Sequence, residues 1–291
     1  MDQAEQLRNV IKMQVRPKTV SRVITVTSGK GGVGKTSLSV NLALQLQRQG
    51  KRVVILDADF GLANIEVMLG VRPTANLADL MFCGKALKDI LMEGPEGIGF
   101  ISGGSGIKEL ASLTRDQIFY VMQSLSELDD IADVIIVDTG AGIADTVLEF
   151  AAASEEILLV VTPEPTSITD AYALLKTLNR TQDFRAERTV IKLVANQVKN
   201  RQEGQEIFGK VSAVADKFLN INLEYLGAVV NDSNVSKAVM QQKPLLLNYP
   251  NSAASRSITE LAHVLDAEGL EEPEKGIKKL FTRLIHAKMK K

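Results

Sequence analysis

At 291 residues, with 45% apolar side chains and a formal net charge of -1, the chain is long enough for one large or two ordinary domains and too apolar for wholesale disorder. The near-neutral balance gives no global attraction to nucleic acid, no apolar run of about 18 or more residues is available to span a bilayer, and the charged start lacks the apolar core of a signal peptide, so a cytoplasmic place is expected. A single cysteine, Cys83, excludes an intramolecular disulfide or a multi-cysteine cluster within one chain, and the two histidines, His263 and His286, have no carboxylate or cysteine at ligand spacing.

Residues 1–20 precede the first segment that reads as core. They open MDQAEQLRNVIK, and Pro17 would end any helix before the core is reached, leaving this segment free to meet another protein. From position 22 short β-branched runs alternate with helical stretches. The strands are RVITVTS, RVVILDAD, GIGFISG, DVIIVDT, EILLVVT, TVIKLVAN and EYLGAVV, and among the helices are 35–49, 114–128, 167–182 and 201–219. Strands apolar on both faces require helices above and below, and parallel neighbours require crossovers, so the pattern predicts a doubly wound, mostly parallel α/β sheet over 21–270. Pro273 and Gly276 mark a joint, after which 274–291 forms a second appendage.

The first strand runs into SGKGGVGKTS, residues 28–37, and then into an apolar helical pattern, the strand, glycine loop and helix of a P-loop. Gly31, Gly32, Val33, Gly34, Lys35, Thr36 and Ser37 are the nucleotide-binding candidates. The backbone N–H groups and the helix N-terminus suit phosphate oxygens, Lys35 suits the β and γ phosphates, and Thr36 offers a hydroxyl to Mg²⁺. VVILDAD places Asp57 and Asp59 on the same side of a strand at its carboxyl end, where α/β sheets bind ligands. VIIVDTGAGI ends a second apolar strand in Asp138, a carboxylate suited to the metal, and continues into a loop made flexible by Gly140 and Gly142. TVIKLVAN ends in Asn196, which reads equally as a base-binding amide or as a turn residue.

In the tail, Ile277, Leu280, Phe281, Leu284 and Ile285 recur at steps of three and four, making one apolar stripe. Lys278, Lys279 and Arg283 are among the basic residues flanking it, and no carboxylate follows Glu274. Two readings compete: a terminal helix docked on the domain's own core, or a helix that lies on an anionic membrane, which better explains a uniformly basic polar face.

The motif KGGVGKT, with its extra lysine Lys30, resembles the deviant Walker A sequence of the MinD/ParA P-loop ATPases, and VVILDADFGLANIEVMLG and VIIVDTGAGI are similar in order to that family's two switch regions. The resemblance implies a Mg²⁺-dependent ATPase that dimerises on ATP. In it Lys30 reaches the partner's nucleotide, Asp59 orients the attacking water, Asp57 and Asp138 hold the metal partly through water, and Asn196 meets adenine. The tail is similar in position and character to the family's membrane-targeting helix. The head DQAEQLR resembles the activator motif of the FlhG (FleN/YlxH) branch, which governs flagellar number and placement. That resemblance implies that Asp2, Gln3, Ala4, Leu7 and Arg8 contact the GTPase FlhF, with Gln3 as the candidate to orient its hydrolytic water. It also implies flagellar switch (C-ring) proteins as further partners. The core motifs are shared with septum-positioning and plasmid-partition ATPases, from which only this head separates the chain. No dense basic run in the body suggests nucleic acid.

Overall fold

The computed structural model describes residues 20–59, 64–104, 114–181, 183–267 and 276–289, leaving aside the side chains of 115, 116 and 286–289. The strands are β1 (Arg22–Ser28), β2 (Val53–Ala58), β3 (Leu91–Glu93), β4 (Gly99–Ile101), β5 (Val134–Ala141), β6 (Glu156–Val161), β7 (Val190–Val198) and β8 (Leu223–Val230). They form one sheet in the order β3-β4-β2-β5-β1-β6-β7-β8, and every pairing is parallel except β3 with β4. The seven strands read from sequence are all present, displaced by a residue or two at their ends. β3 is too short to carry a periodic signal and is legible only in the structure.

The helices are α1 (Lys35–Arg48), α2 (Asn64–Leu69), α3 (Leu77–Cys83), α4 (Leu87–Ile90), α5 (Arg115–Ser126), α6 (Leu128–Ile131), α7 (Asp145–Ala153), α8 (Pro165–Asn179), α9 (Arg201–Leu219), α10 (Ser233–Met240), α11 (Leu245–Asn248), α12 (Ala253–Ala267) and α13 (Gly276–Met289). Their limits follow local chemistry. Thr114 and Gln117 form a reciprocal capping box at the start of α5. Pro165 sits in the first turn of α8, where its missing N–H costs nothing. Asn200 caps α9, which Asn220 ends in a left-handed conformation.

Alternation along each strand divides the core. Val53 and Ile55 of β2 face α1 and α12, while Val54 and Leu56 face α3 and α5, and all four are buried. α8 and α9 cover β6 and β7 on that second side. Because the sheet is parallel, the ends of β1, β2, β5, β6 and β7 that carry the motif residues emerge along one edge.

The tail departs from one expectation. Helix α13 exists, but its stripe does not face outward. Ile277, Leu280, Phe281, Leu284 and Ile285 are buried, between 0% and 5% exposed, and α13 lies across α5 and α7 against the domain. Phe281 meets Phe150 of α7 edge to face, with ring centroids 6.4 Å apart. Of the basic residues, Lys278 is exposed, whereas Lys279 and Arg283 turn onto Glu155, and Arg283 also donates to the Ala153 carbonyl at 3.0 Å. At the start of α13 the Ile277 N–H donates to Asp129 Oδ1, and the same oxygen accepts from the Ser21 N–H, each at 3.3 Å. In this conformation the apolar stripe from Ile277 to Ile285 is therefore part of the core. The reason is that the groove between α5 and α7 offers the stripe an apolar partner that linear sequence cannot display. Asp2, Gln3, Ala4, Leu7 and Arg8 lie outside the described residues.

Candidate functional site

β1 leads into the glycine loop and α1 begins at Lys35, so the loop is held between a central strand and a helix N-terminus. Gly34 has φ +92°, the left-handed region, and a Cβ there would stand 2.5 Å from Asn196 Nδ2. Gly29 permits a close approach, since a Cβ would meet the Asp170 carbonyl at 2.1 Å.

Beneath the loop, Lys35 is buried, and its ammonium donates to Ser28 Oγ at 3.1 Å. Burial pushes its pKa down, against the opposing pull of Asp138 and Asp59. Asp138 is fully buried and receives two hydroxyls, Thr36 Oγ1 on Oδ2 at 2.7 Å and Ser39 Oγ on Oδ1 at 2.8 Å. Burial nonetheless raises its carboxyl to about 6, and the hydroxyls and Lys35 oppose that rise. Asp57 is the direct neighbour of Asp138 across β2 and β5. Burial pushes it further, to about 8, although its Oδ1 accepts the Asp59 N–H at 2.9 Å. Two adjacent buried carboxyls keep raised pKa values although Lys35 offsets part of the charge on Asp138, and a divalent cation with its waters would supply the remainder. Among the described residues no three His, Cys, Asp or Glu side chains form a ready-made metal cage.

Asp59 Oδ2 accepts from Asn64 Nδ2 at 3.1 Å, and its carboxylate stands beside Gly140, where a Cβ would lie 3.3 Å from Oδ1. The residue that follows β2 and the last residues of β5 thus meet. Lys30 turns away from the loop to Glu164 and Thr166 at the start of α8, donating to Thr166 Oγ1 at 2.8 Å and holding the Glu164 carboxyl below the usual carboxylate range. Asn196 lies against the loop itself, donating from Nδ2 to the Val33 carbonyl at 2.6 Å. Beside it opens a cavity of about 150 Å³ lined in part by Gly34, Ser37, Asn196, Val230, Asn231 and Asp232.

Gly31, Gly32, Val33, Gly34, Lys35, Thr36, Ser37, Asp57, Asp59, Asp138 and Asn196 are therefore gathered at one edge, with Lys30 at its rim. Sequence reasoning did not pick out Ser39, Asn64, Glu164, Thr166 or the segment after β8. Ser39 is one helical turn beyond Lys35, and a buried serine on that face was the available signal; the others meet the site only through the fold.

Fold and site define a P-loop nucleotide-binding protein of the doubly wound α/β class. The family model described as ParA, NUBPL iron-transfer P-loop NTPase, matches residues 19–266. The chain is 43% identical to the antiactivator FleN of Pseudomonas aeruginosa over 91% of this chain and 93% of that protein. It is 36% identical to the flagellum site-determining protein YlxH of Helicobacter pylori, with 98% of each covered. In three dimensions it is similar to the septum site-determining protein MinD of Pyrococcus horikoshii, solved with Mg-ADP, at a TM-score of 0.67 and 22% identity, covering 84% of this chain and 96% of that one. The chain belongs to the MinD/ParA family of P-loop NTPases, within its FlhG (FleN/YlxH) branch.

Proposed function

We propose that the chain is an ATP-driven dimerising switch that controls flagellar number and placement. The observation that carries the nucleotide reading is the convergence of Thr36 and Ser39 on Asp138 directly below a glycine loop whose Lys35 is buried alongside. Gly31 to Ser37 hold the phosphates of ATP, and the product is ADP and phosphate. Thr36 with Asp57 and Asp138, partly through water, would hold Mg²⁺, which would supply positive charge to the phosphates. Lys35 stabilises the phosphate oxygens, and Asp59 orients the attacking water. Lys30 leaves Glu164 to reach the nucleotide of a second copy, so that turnover requires the homodimer.

Names borne by relatives, an antiactivator and a flagellum site-determining protein, support the flagellar role. Residues 1–20 stimulate the GTPase FlhF through Asp2, Gln3, Ala4, Leu7 and Arg8, and the dimer meets C-ring switch proteins. The tail engages an anionic membrane through Ile277, Leu280, Phe281, Leu284 and Ile285, with Lys278, Lys279 and Arg283 at the headgroups. Since that stripe is buried against α7, and only Gly142, Ile143 and Ala144 separate α7 from the end of β5, closure of the dimer is coupled to release of α13. A free helix of this length is marginal in water, so release and membrane binding are linked.

The test uses Asp59→Ala, which should trap the ATP state. Dimers in sedimentation and ATP-dependent binding to anionic vesicles are expected, while Lys35→Ala remains monomeric. A monomeric, unbound Asp59→Ala protein in saturating Mg-ATP refutes the switch. FlhF hydrolysis measured with a peptide of residues 1–20 tests the head; equal stimulation by a Gln3→Ala peptide removes the role given to Gln3.

A further inference from the structure

Gln197 is one of four non-glycine residues with positive φ among the described residues, at +59°. It stands where the β7–β8 register shifts between Asn196 and Val198, so the strand bulges at this point. A glutamine in the left-handed region is disfavoured, and such positions persist where surrounding contacts over-determine them. Here the contacts all lead to the phosphate loop. The Gln197 N–H donates to Asn196 Oδ1 at 2.9 Å, which fixes the Asn196 amide plane. Asn196 Nδ2 then donates to the Val33 carbonyl at 2.6 Å, and Gln197 Nε2 donates to the Gly32 carbonyl at 3.4 Å.

Two neighbouring carbonyls of the loop are thus held by two neighbouring side-chain amides. In a trans peptide the C=O and the N–H of the same plane point in opposite directions. Drawing the Gly32 and Val33 carbonyls toward the bulge therefore turns the Val33 and Gly34 N–H groups the other way. These are donors that a phosphate-binding loop must present. Gly34 completes the arrangement, because any side chain there would displace Asn196.

We propose that Gln197 is a positioning residue for phosphate binding: with Asn196 it forms a two-amide bracket that holds the Gly32 and Val33 peptide planes with their N–H groups toward the phosphates. The inference rests on the nucleotide reading above. Asn196 keeps one N–H and one lone pair in reserve after these bonds, enough to meet a base edge as well. The bracket therefore links the base side of the site to its phosphate side. The bulge serves it by placing the Gln197 side chain on the loop side, where a regular strand would direct it to the opposite face.

The experiment compares Gln197→Glu and Gln197→Lys in the full chain. Glutamate has the same shape but puts oxygen against oxygen, lysine restores a donor, and both keep the same backbone demand at a non-glycine φ. Affinities for AMP and Mg-ADP are measured by calorimetry, together with the melting temperature of the nucleotide-free protein. Expected for Gln197→Glu is a loss of about three- to fivefold in Mg-ADP affinity, the scale of one modest hydrogen bond. AMP binding and melting temperature should be little changed, and Gln197→Lys should return to within about twofold of wild type, the same yardstick as above. Equal affinity of both variants for Mg-ADP, or equal losses for AMP and Mg-ADP, overturns the bracket while the nucleotide site stands. Failure of the wild-type chain to bind Mg-ADP overturns the nucleotide reading and the bracket with it.

Discussion

Weakening the groove's hold on α13, without altering α13 itself, should release the tail. Asp129 receives the Ile277 N–H and acts as a cap supplied from a distant part of the chain; removal of such a cap costs about 1 kcal/mol. Glu155 pairs with Lys279 and Arg283, but all three side chains are 22–31% exposed, so solvent screening limits its share to about 0.5–1 kcal/mol. Asp129→Ala with Glu155→Ala should therefore lower the free energy of undocking by about 1.5–2 kcal/mol, raising the undocked population about ten- to thirtyfold. Amide hydrogen exchange on α13 reads this directly, because protection falls by the same factor when opening precedes exchange. Exchange in β5 should not follow, and binding to anionic vesicles without ATP should rise. As a contrast, Phe281→Ala removes the fully buried ring that meets Phe150, a loss of about 3–5 kcal/mol. It should free α13 more completely yet bind vesicles poorly, since the membrane contact has lost its largest side chain. Unchanged α13 exchange in the double variant, or equal acceleration of β5, would refute a separately releasable tail.

Three further outcomes follow from the site. Asp57, raised to about 8, binds a proton in the folded state across a range where the unfolded carboxyl is ionised. Stability of the nucleotide-free and metal-free protein should therefore fall as pH rises toward 8, with Asp57 dominating above the Asp138 value of about 6. Melting curves from pH 6 to 8 should show the decline, and Asp57→Asn should flatten it; a slope unchanged by that substitution contradicts the assignment. Ser39→Ala removes a buried hydrogen bond to a carboxylate, so stability should drop by about 1.5–3 kcal/mol in urea unfolding while Mg-ADP still binds. Gly34→Ala combines a left-handed φ, costing about 1–2 kcal/mol, with collision against Asn196, and calorimetry should find Mg-ADP binding lost or severely weakened. Wild-type affinity in that variant would show that the loop adapts.

Much of this protein is written locally. Runs such as VVIL in β2 and ILLVV in β6 are apolar at every position, which only a strand covered on both faces tolerates, and the glycines before Lys35 lie in one contiguous motif. The strand-end carboxylates Asp57 and Asp138 could be read for the same reason: a parallel sheet brings such ends to one edge whatever its strand order. What sequence could not specify depends on which segments become neighbours. The Lys30–Glu164 pair joins residues 134 positions apart, and Ser39 meets Asp138 across 99. The tail shows the difference most plainly. Its period of three and four determined that Ile277, Leu280, Phe281, Leu284 and Ile285 share one face, but not what that face touches. An apolar stripe gains equally from lipid or from protein, and the groove between α5 and α7 exists only once the sheet has brought those helices together.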